Sequence, residues 1–266
     1  HGLRPSQLAP LVSSVFSAMM FRHGFVHCDP HPGNLLARRM PGAARGAQLV
    51  LLDHGMYREL EPSFRDNYSR LWASLLTRDH ATGRSAAAAL GVPLDDYDAL
   101  SLLLTFRSST STGVLGAPIS AAERTRLREK YGKVAATDVN AFLERLPRDM
   151  LFVMRTWALV RSLNRQLGGT SAQRFLIIAE HASWGLSPPA REGTSWRERT
   201  SVTLRCRFAS WRLQWLVRSI NYTSKIALAL AGLRQRVGAW LSELCLRLPL
   251  TRPLGLPDRD AKHAGA

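Results

Sequence analysis

The feature that most constrains this chain is an eight-residue run, His27-Cys28-Asp29-Pro30-His31-Pro32-Gly33-Asn34. Pro30 and Pro32 each remove a backbone donor and push the preceding residue out of the helical region. Phe25 to Asn34 therefore reads as a loop. A loop stiffened in this way holds Asp29 and Asn34 in one arrangement. Ahead of it, Leu8, Leu11, Val12, Val15, Phe16 and Met19 recur at helical spacing, which predicts a helix over 6–22. Ser6 is its candidate cap, and Gly24 suits the left-handed residue that ends it. Behind the loop, 35–37 and 48–52 read as two strands of a hairpin, with Pro41-Gly42 and Gly46 supplying the turn chemistry. The second strand delivers Asp53 into Asp53-His54-Gly55.

Phosphoryl transfer asks little covalent chemistry of a protein. It needs a carboxylate to orient or deprotonate the acceptor, and oxygen ligands for a Mg²⁺ ion that bridges nucleotide phosphates. The kinase arrangement is a His-x-Asp loop with Asn five residues after the Asp, then a metal-binding Asp-x-Gly beyond a hairpin. This chain has those parts in that order. A lone His-x-Asp would carry no information; the ordered set does. Two other readings stand beside it. Asp29 and Asn34 are residue types that turns favour in any protein. His27, Asp29, His31 and His54 are also types that ligate zinc, although the prolines oppose the strand that would align them. Cys28 reads as a small packed side chain, because a neighbouring carboxylate opposes a reactive thiolate.

The loop and the strand end Leu51-Leu52-Asp53-His54-Gly55 resemble the UbiB/aarF-domain atypical kinase family, whose loop reads H-x-D-x-H-P-G-N. The likeness is close over residues 25–60 and extends, more weakly, to about residue 185. It implies a kinase-like fold, ATP with Mg²⁺, and a setting in mitochondria, or alternatively plastids, linked to lipid or quinone homeostasis. By the same resemblance Asp29 is the catalytic carboxylate and His27 the structural histidine of the catalytic loop. Asn34 and Asp53 are metal ligands, and His31, Pro32, Gly33 and Gly55 shape the turns. The family has Phe after the metal Asp; His54 in that place marks a branch of it. The nucleotide would be gripped through an N-terminal lobe, so no nucleotide-binding residue is assigned here. The chain begins at His1 and has no lysine before Lys130, which reads as a fragment expected to bind ATP weakly and to be inactive alone. The other reading is a pseudokinase scaffold that binds a partner or an anionic membrane.

The rest of the chain reads as helical. Phe64, Tyr68, Leu71, Trp72 and Leu75 make one apolar stripe, and 96–106 makes another. Ser120 to Glu123 is a capping-box signature. Residues 139–167 are helical with a restart at Pro147, Gly168-Gly169 close them, and 171–185 is one more helix. The expected fold is mostly α: a kinase-like C-terminal lobe with a short β-hairpin (1–187), a linker (188–203), a basic amphipathic helical region (204–250) and a disordered tail (251–266). From Leu204 to Leu248 apolar residues keep helical steps, and Arg207, Arg218, Lys225 and Arg236 edge that face. Two uses of this stripe stand equal: packing on the lobe, or lying on an anionic membrane as a peripheral helix. Lys and Arg number 36 against 20 Asp and Glu, a net charge of +16, which favours anionic partners. No nucleic-acid-binding module accompanies the charge, so no nucleic acid is expected. The phosphoryl acceptor, a protein or a lipid, is not legible. Three scattered cysteines argue against a disulfide framework. No charge-free apolar run approaches the ~20 residues of a membrane span.

Overall fold

The computed structural model describes residues 2–43, 46–109, 111, 115–116, 119–132 and 136–186, with a discontinuous set between 200 and 237. The expected tail, and all of the expected linker but Thr200, lie outside the described residues. The chain divides into two units, 1–224 and 225–266.

In the first unit, helix α1 (Pro5–Ala18) is followed by a wider helical turn, Met19–His23, that ends where Gly24 takes φ 69°. A side chain there would be strained, and its Cβ would press on the Leu60 carbonyl. The chain then pairs, contrary to the loop expected from Phe25 onward. Strand β1 (Phe25–His27) runs antiparallel to β4 (Tyr57–Glu59), with Val26 opposite Arg58. The prolines constrain only the residues beside them, so Phe25, Val26 and His27 remain free to donate and accept. The expected hairpin is present as β2 (Leu35–Arg39) and β3 (Ala47–Leu51), with Leu35 opposite Leu51.

The remaining elements are helical: α2 (Pro62–Thr77), α3 (His80–Ala89), α4 (Tyr97–Thr105), α5 (Ala121–Tyr131), α6 (Ala136–Glu144), α7 (Arg148–Gln166) and α8 (Ser171–Gly185). Pro147 caps α7, and Ser120 Oγ accepts the Glu123 amide at the start of α5. The Glu123 carboxylate does not complete the capping box; it turns instead to Arg107 and Ser111.

The core lies where α1, α2, α7 and α8 meet. Phe16, Tyr68, Leu71, Trp72, Met150 and Ile178 are fully buried. Trp72 stands edge-on to Trp157, with ring centroids 5.6 Å apart. Such an aromatic pair adds about 0.5–1.5 kcal/mol beyond the area it buries. Close approach of α8 to α2 depends on Gly185, where a Cβ would collide with Ser69 Oγ.

The described residues between 204 and 223 are helical. Ser210 and Val217 are buried and Leu213 packs on the core, so this helix docks on the lobe. The apolar stripe itself does not: Leu204, Phe208, Trp211, Trp215 and Tyr222 are 58–68% exposed. In the second unit, Ile226, Leu230, Leu233 and Val237 are exposed as well, while Trp240, Leu244 and Leu248 lie outside the described residues. Among the described residues no helix is long and apolar enough to cross a membrane.

Candidate active site

The β1–β4 ladder brings two distant pieces of sequence to one edge. Asp29 leaves β1 and Asp53-His54-Gly55 enters β4, and the Cys28 amide extends the pairing by donating to the Met56 carbonyl at 2.9 Å. A second tie crosses from the hairpin, where the Leu52 amide donates to the Asn34 carbonyl at 3.0 Å. Asp29, Asn34 and Asp53 are thereby held on neighbouring backbone segments, two of them one residue away from a cross-strand hydrogen bond.

Inside the loop each residue has a distinct task. His27 is 1% exposed and its Nδ1 accepts the Asp29 amide at 3.1 Å. Its ring sits between Phe16 and Tyr57. The histidine thus orients the backbone that carries Asp29. His31 Nδ1 accepts the Gly33 amide at 3.1 Å and starts the tight turn Pro32–Asn34. Asn34 Nδ2 donates to the Asp29 carbonyl at 3.3 Å and lies 3.5 Å from the Asp29 carboxylate. With its amide group so engaged, Asn34 keeps its Oδ1 for another partner. Asp53 Oδ1 accepts the Gly55 amide at 2.8 Å, which fixes the turn and leaves the second carboxylate oxygen outward.

Tyr57 is the hub beneath this edge. Phe25 stacks on its ring at 4.7 Å, and His54 lies nearly parallel to it at 5.7 Å while its Nδ1 is 2.9 Å from the Tyr57 hydroxyl. Burial pushes the Tyr57 phenol up from its ordinary pKa, so the hydroxyl stays protonated and able to donate. His54 therefore packs on an aromatic partner. Cys28 is fully buried, its thiol donates to the Val26 carbonyl, and burial raises its pKa. It is a packed side chain, not a nucleophile.

One charged residue escaped the sequence reading. Arg155, on α7, places its guanidinium 3.6 Å from Asp29 Oδ1. One turn and two turns earlier, Phe152 and Asp149 hold Arg58, the guanidinium 5.7 Å from the ring centroid and 2.5 Å from the carboxylate. Asp149, Phe152 and Arg155 share one face of α7 by their spacing of three, but nothing near them in sequence announces the loop they border.

A model of the ABC1 atypical kinase-like domain matches residues 1–86, which hold the loop, the hairpin and the Asp53 turn. AarF domain-containing protein kinase 1 of Mus musculus is 35% identical over 206 residues, 76% of this chain and 39% of that protein. A putative ABC1 protein of Arabidopsis thaliana is 34% identical over 236 residues, 80% of this chain and 44% of that protein. The chain belongs to the ABC1/AarF atypical kinase-like family. It spans about two fifths of the length of these two relatives, 39% and 44%. A third relative, a probable serine/threonine-protein kinase of Dictyostelium discoideum, is 33% identical over 188 residues, 70% of this chain and 26% of that protein. No solved structure matches.

The donor set of this ABC1/AarF lobe suits a hard cation. Mg²⁺ takes oxygen ligands, usually one or two from the protein, the rest coming from water and phosphate. Asn34 Oδ1 and the outer oxygen of Asp53 fit that pattern. A zinc cluster does not form: among the described residues no three His, Cys, Asp or Glu side chains gather. His27, His31 and His54 each engage Nδ1 in a local hydrogen bond.

Proposed function

We propose that this chain forms the metal- and acceptor-binding side of an ATP- and Mg²⁺-dependent phosphotransferase or ATPase. The observation that carries the reading is the convergence of Asp29, Asn34 and Asp53 through the β1–β4 ladder and the Leu52–Asn34 hydrogen bond. In this reading Asp29 orients the acceptor and takes its proton, while Asn34 and Asp53 hold the ion. Bound Mg²⁺ supplies charge neutralisation for the phosphates being transferred. Leu36 and Leu52, about half exposed on one side of the hairpin, offer an apolar floor for a nucleotide base. Residues beyond this chain's site would complete the grip on the nucleotide. From the family resemblance we infer a setting in mitochondria, with plastids as the alternative, and a role in lipid or quinone homeostasis.

A second reading concerns where the protein sits. The exposed stripe Leu204, Phe208, Trp211, Trp215 and Tyr222 turns away from the lobe, and Arg207, Arg212 and Arg218 flank it. Aromatic residues edged by cations fit the interface of an anionic bilayer.

The catalytic reading is tested by Asp53→Asn in a chain extended to the length of its relatives. Mg-dependent ATP turnover is expected to fall at least about a hundredfold. In this chain itself, Mn²⁺ should broaden the NMR signals of the Gly33 and Gly55 amides, and Asp53→Asn should remove that broadening. Unchanged turnover together with unchanged broadening would leave the scaffold reading in its place.

A further inference from the structure

Away from the candidate active site, a cavity of about 60 Å³ lies between the end of α4 and the start of α8. Thr105, Phe106, Gly116, Ile119, Ser171 and Arg174 line it. A water molecule occupies about 30 Å³ of liquid, so the space suits two waters or one tetrahedral oxyanion.

Among the described residues Arg174 takes part in no ion pair. It is only 3% exposed, and its Nε has no hydrogen-bond partner. Its guanidinium lies over the Phe175 ring at 5.2 Å. A buried, unpaired guanidinium is costly. Its charged neighbours make matters worse: burial first, then Arg161 and Arg165, lower its pKa to about 10. Arg161 itself stacks over Phe106 at 4.0 Å, and burial lowers its pKa too. Arg107, on the same wall, is already paired with Glu123.

The other wall is the start of a fifteen-residue helix. Thr170 Oγ accepts the Gln173 amide and the Thr170 carbonyl accepts the Arg174 amide. The amides of Ser171 and Ala172 have no acceptor within the helix, and the dipole makes that end positive. Gly116, at φ 81°, lies against this end, and a Cβ there would run into the Ala172 amide. The glycine lets this segment approach the helix end closely. A buried arginine with a free donor and a helix N-terminus thus converge on one space.

We propose that this cavity is a binding site for a phosphate group, held by Arg174 and by the α8 N-terminus at Ser171. Phosphate matches the planar donor fork of arginine and the helix N-terminus together. The source is either free phosphate or the phosphomonoester of a small headgroup. The site is independent of the phosphotransfer reading, because none of its residues belongs to the 27–55 region.

Thermal unfolding of the chain tests it, with inorganic phosphate or glycerol phosphate compared against chloride at equal ionic strength. One or both phosphates should raise the midpoint in a saturable way, and which one acts names the source. Arg174→Met should abolish that saturable shift. Ile119→Glu places a carboxylate against Arg174, and should raise the midpoint without phosphate and remove the response to it. If Arg174→Met fails to fold, the Ile119→Glu comparison alone decides. The proposal is overturned if neither phosphate gives a saturable shift. It is equally overturned if the shift persists in Arg174→Met, or if Ile119→Glu responds to phosphate as the parent does.

Discussion

Arg155 borders the candidate site through a single contact. Its pairing with Asp29 spans 3.6 Å, and the arginine side chain is 55% exposed. An ion pair of that kind contributes at most about 1 kcal/mol to folding. Its importance lies in where the charge stands. Asp29 is the residue assigned to the acceptor, and Arg155 is the cation paired with it among the described residues. Arg155→Ala is expected to change the urea midpoint of this chain by less than the equivalent of about 1 kcal/mol. In the longer protein, it should lower ATP turnover at least about tenfold, and Arg155→Lys should restore part of the loss. Equal turnover in the parent and the alanine variant would make Arg155 a bystander. His27 poses the opposite case. It is buried at the same loop, and its replacement would disturb the Asp29 backbone rather than remove a charge from the site.

Between elements, the α1–α8 contact carries a titratable group. His181 on α8 is 4% exposed and its Nε2 lies 3.0 Å from Ser14 Oγ on α1. Burial, then Arg22 and His23, lower its pKa from 6.5 to about 4. The unfolded chain therefore takes up the proton first. Stability is complete above about pH 6.5 and falls, by about 1.4 kcal/mol per pH unit, until pH 4. Asp79 and Asp98, whose carboxyl pKa values are lowered by hydrogen bonds, act below that window. Urea midpoints at pH 7, 6 and 5 should show the slope in the parent and lack it in His181→Gln; the same slope in both would refute the assignment. The elements themselves were unevenly legible in the sequence. Gly24, Pro147, Ser120 and the Pro41-Gly42 turn punctuate the chain locally, so α1, α7, α5 and the hairpin could be read directly. Strands β1 and β4 have three residues each, too few for a period to declare itself. Helix α3 is rich in alanine and has no apolar stripe to betray it. The loop residues of the candidate site were legible because proline and glycine fix them in sequence. Arg155 was not, because its contact with Asp29 is made only when α7 packs beside β4.

At the scale of the molecule, periodicity gave the correct face of the 204–222 helix but not what covers it. Ser210, Leu213 and Val217 are too weakly apolar a set to announce a docking face, yet they are the side that meets the lobe. Leu204, Phe208, Trp211, Trp215 and Tyr222 are left exposed on the other side. Solvated alone, an aromatic stripe of that size is unfavourable, since each Trp or Phe withdrawn from water contributes on the order of 2 kcal/mol. The charge around it favours an anionic partner. No acidic residue occurs between Glu198 and Glu243, whereas Arg207, Arg212, Arg218 and Lys225 fall in that interval. A basic apolar partner protein would be repelled; an anionic phospholipid surface gains about 1 kcal/mol for each cation near it. The chain is therefore expected to float with vesicles containing cardiolipin and to remain behind with pure phosphatidylcholine. Changing Arg212, Arg218 and Lys225 to Ser should weaken flotation and its sensitivity to salt, since the lost attraction is the screened part. Changing Trp211 and Trp215 to Ser should weaken flotation without altering the salt dependence, because those side chains act by burial. Equal flotation with both lipids, or failure to float with either, would remove the membrane reading and leave the stripe as a surface for another protein.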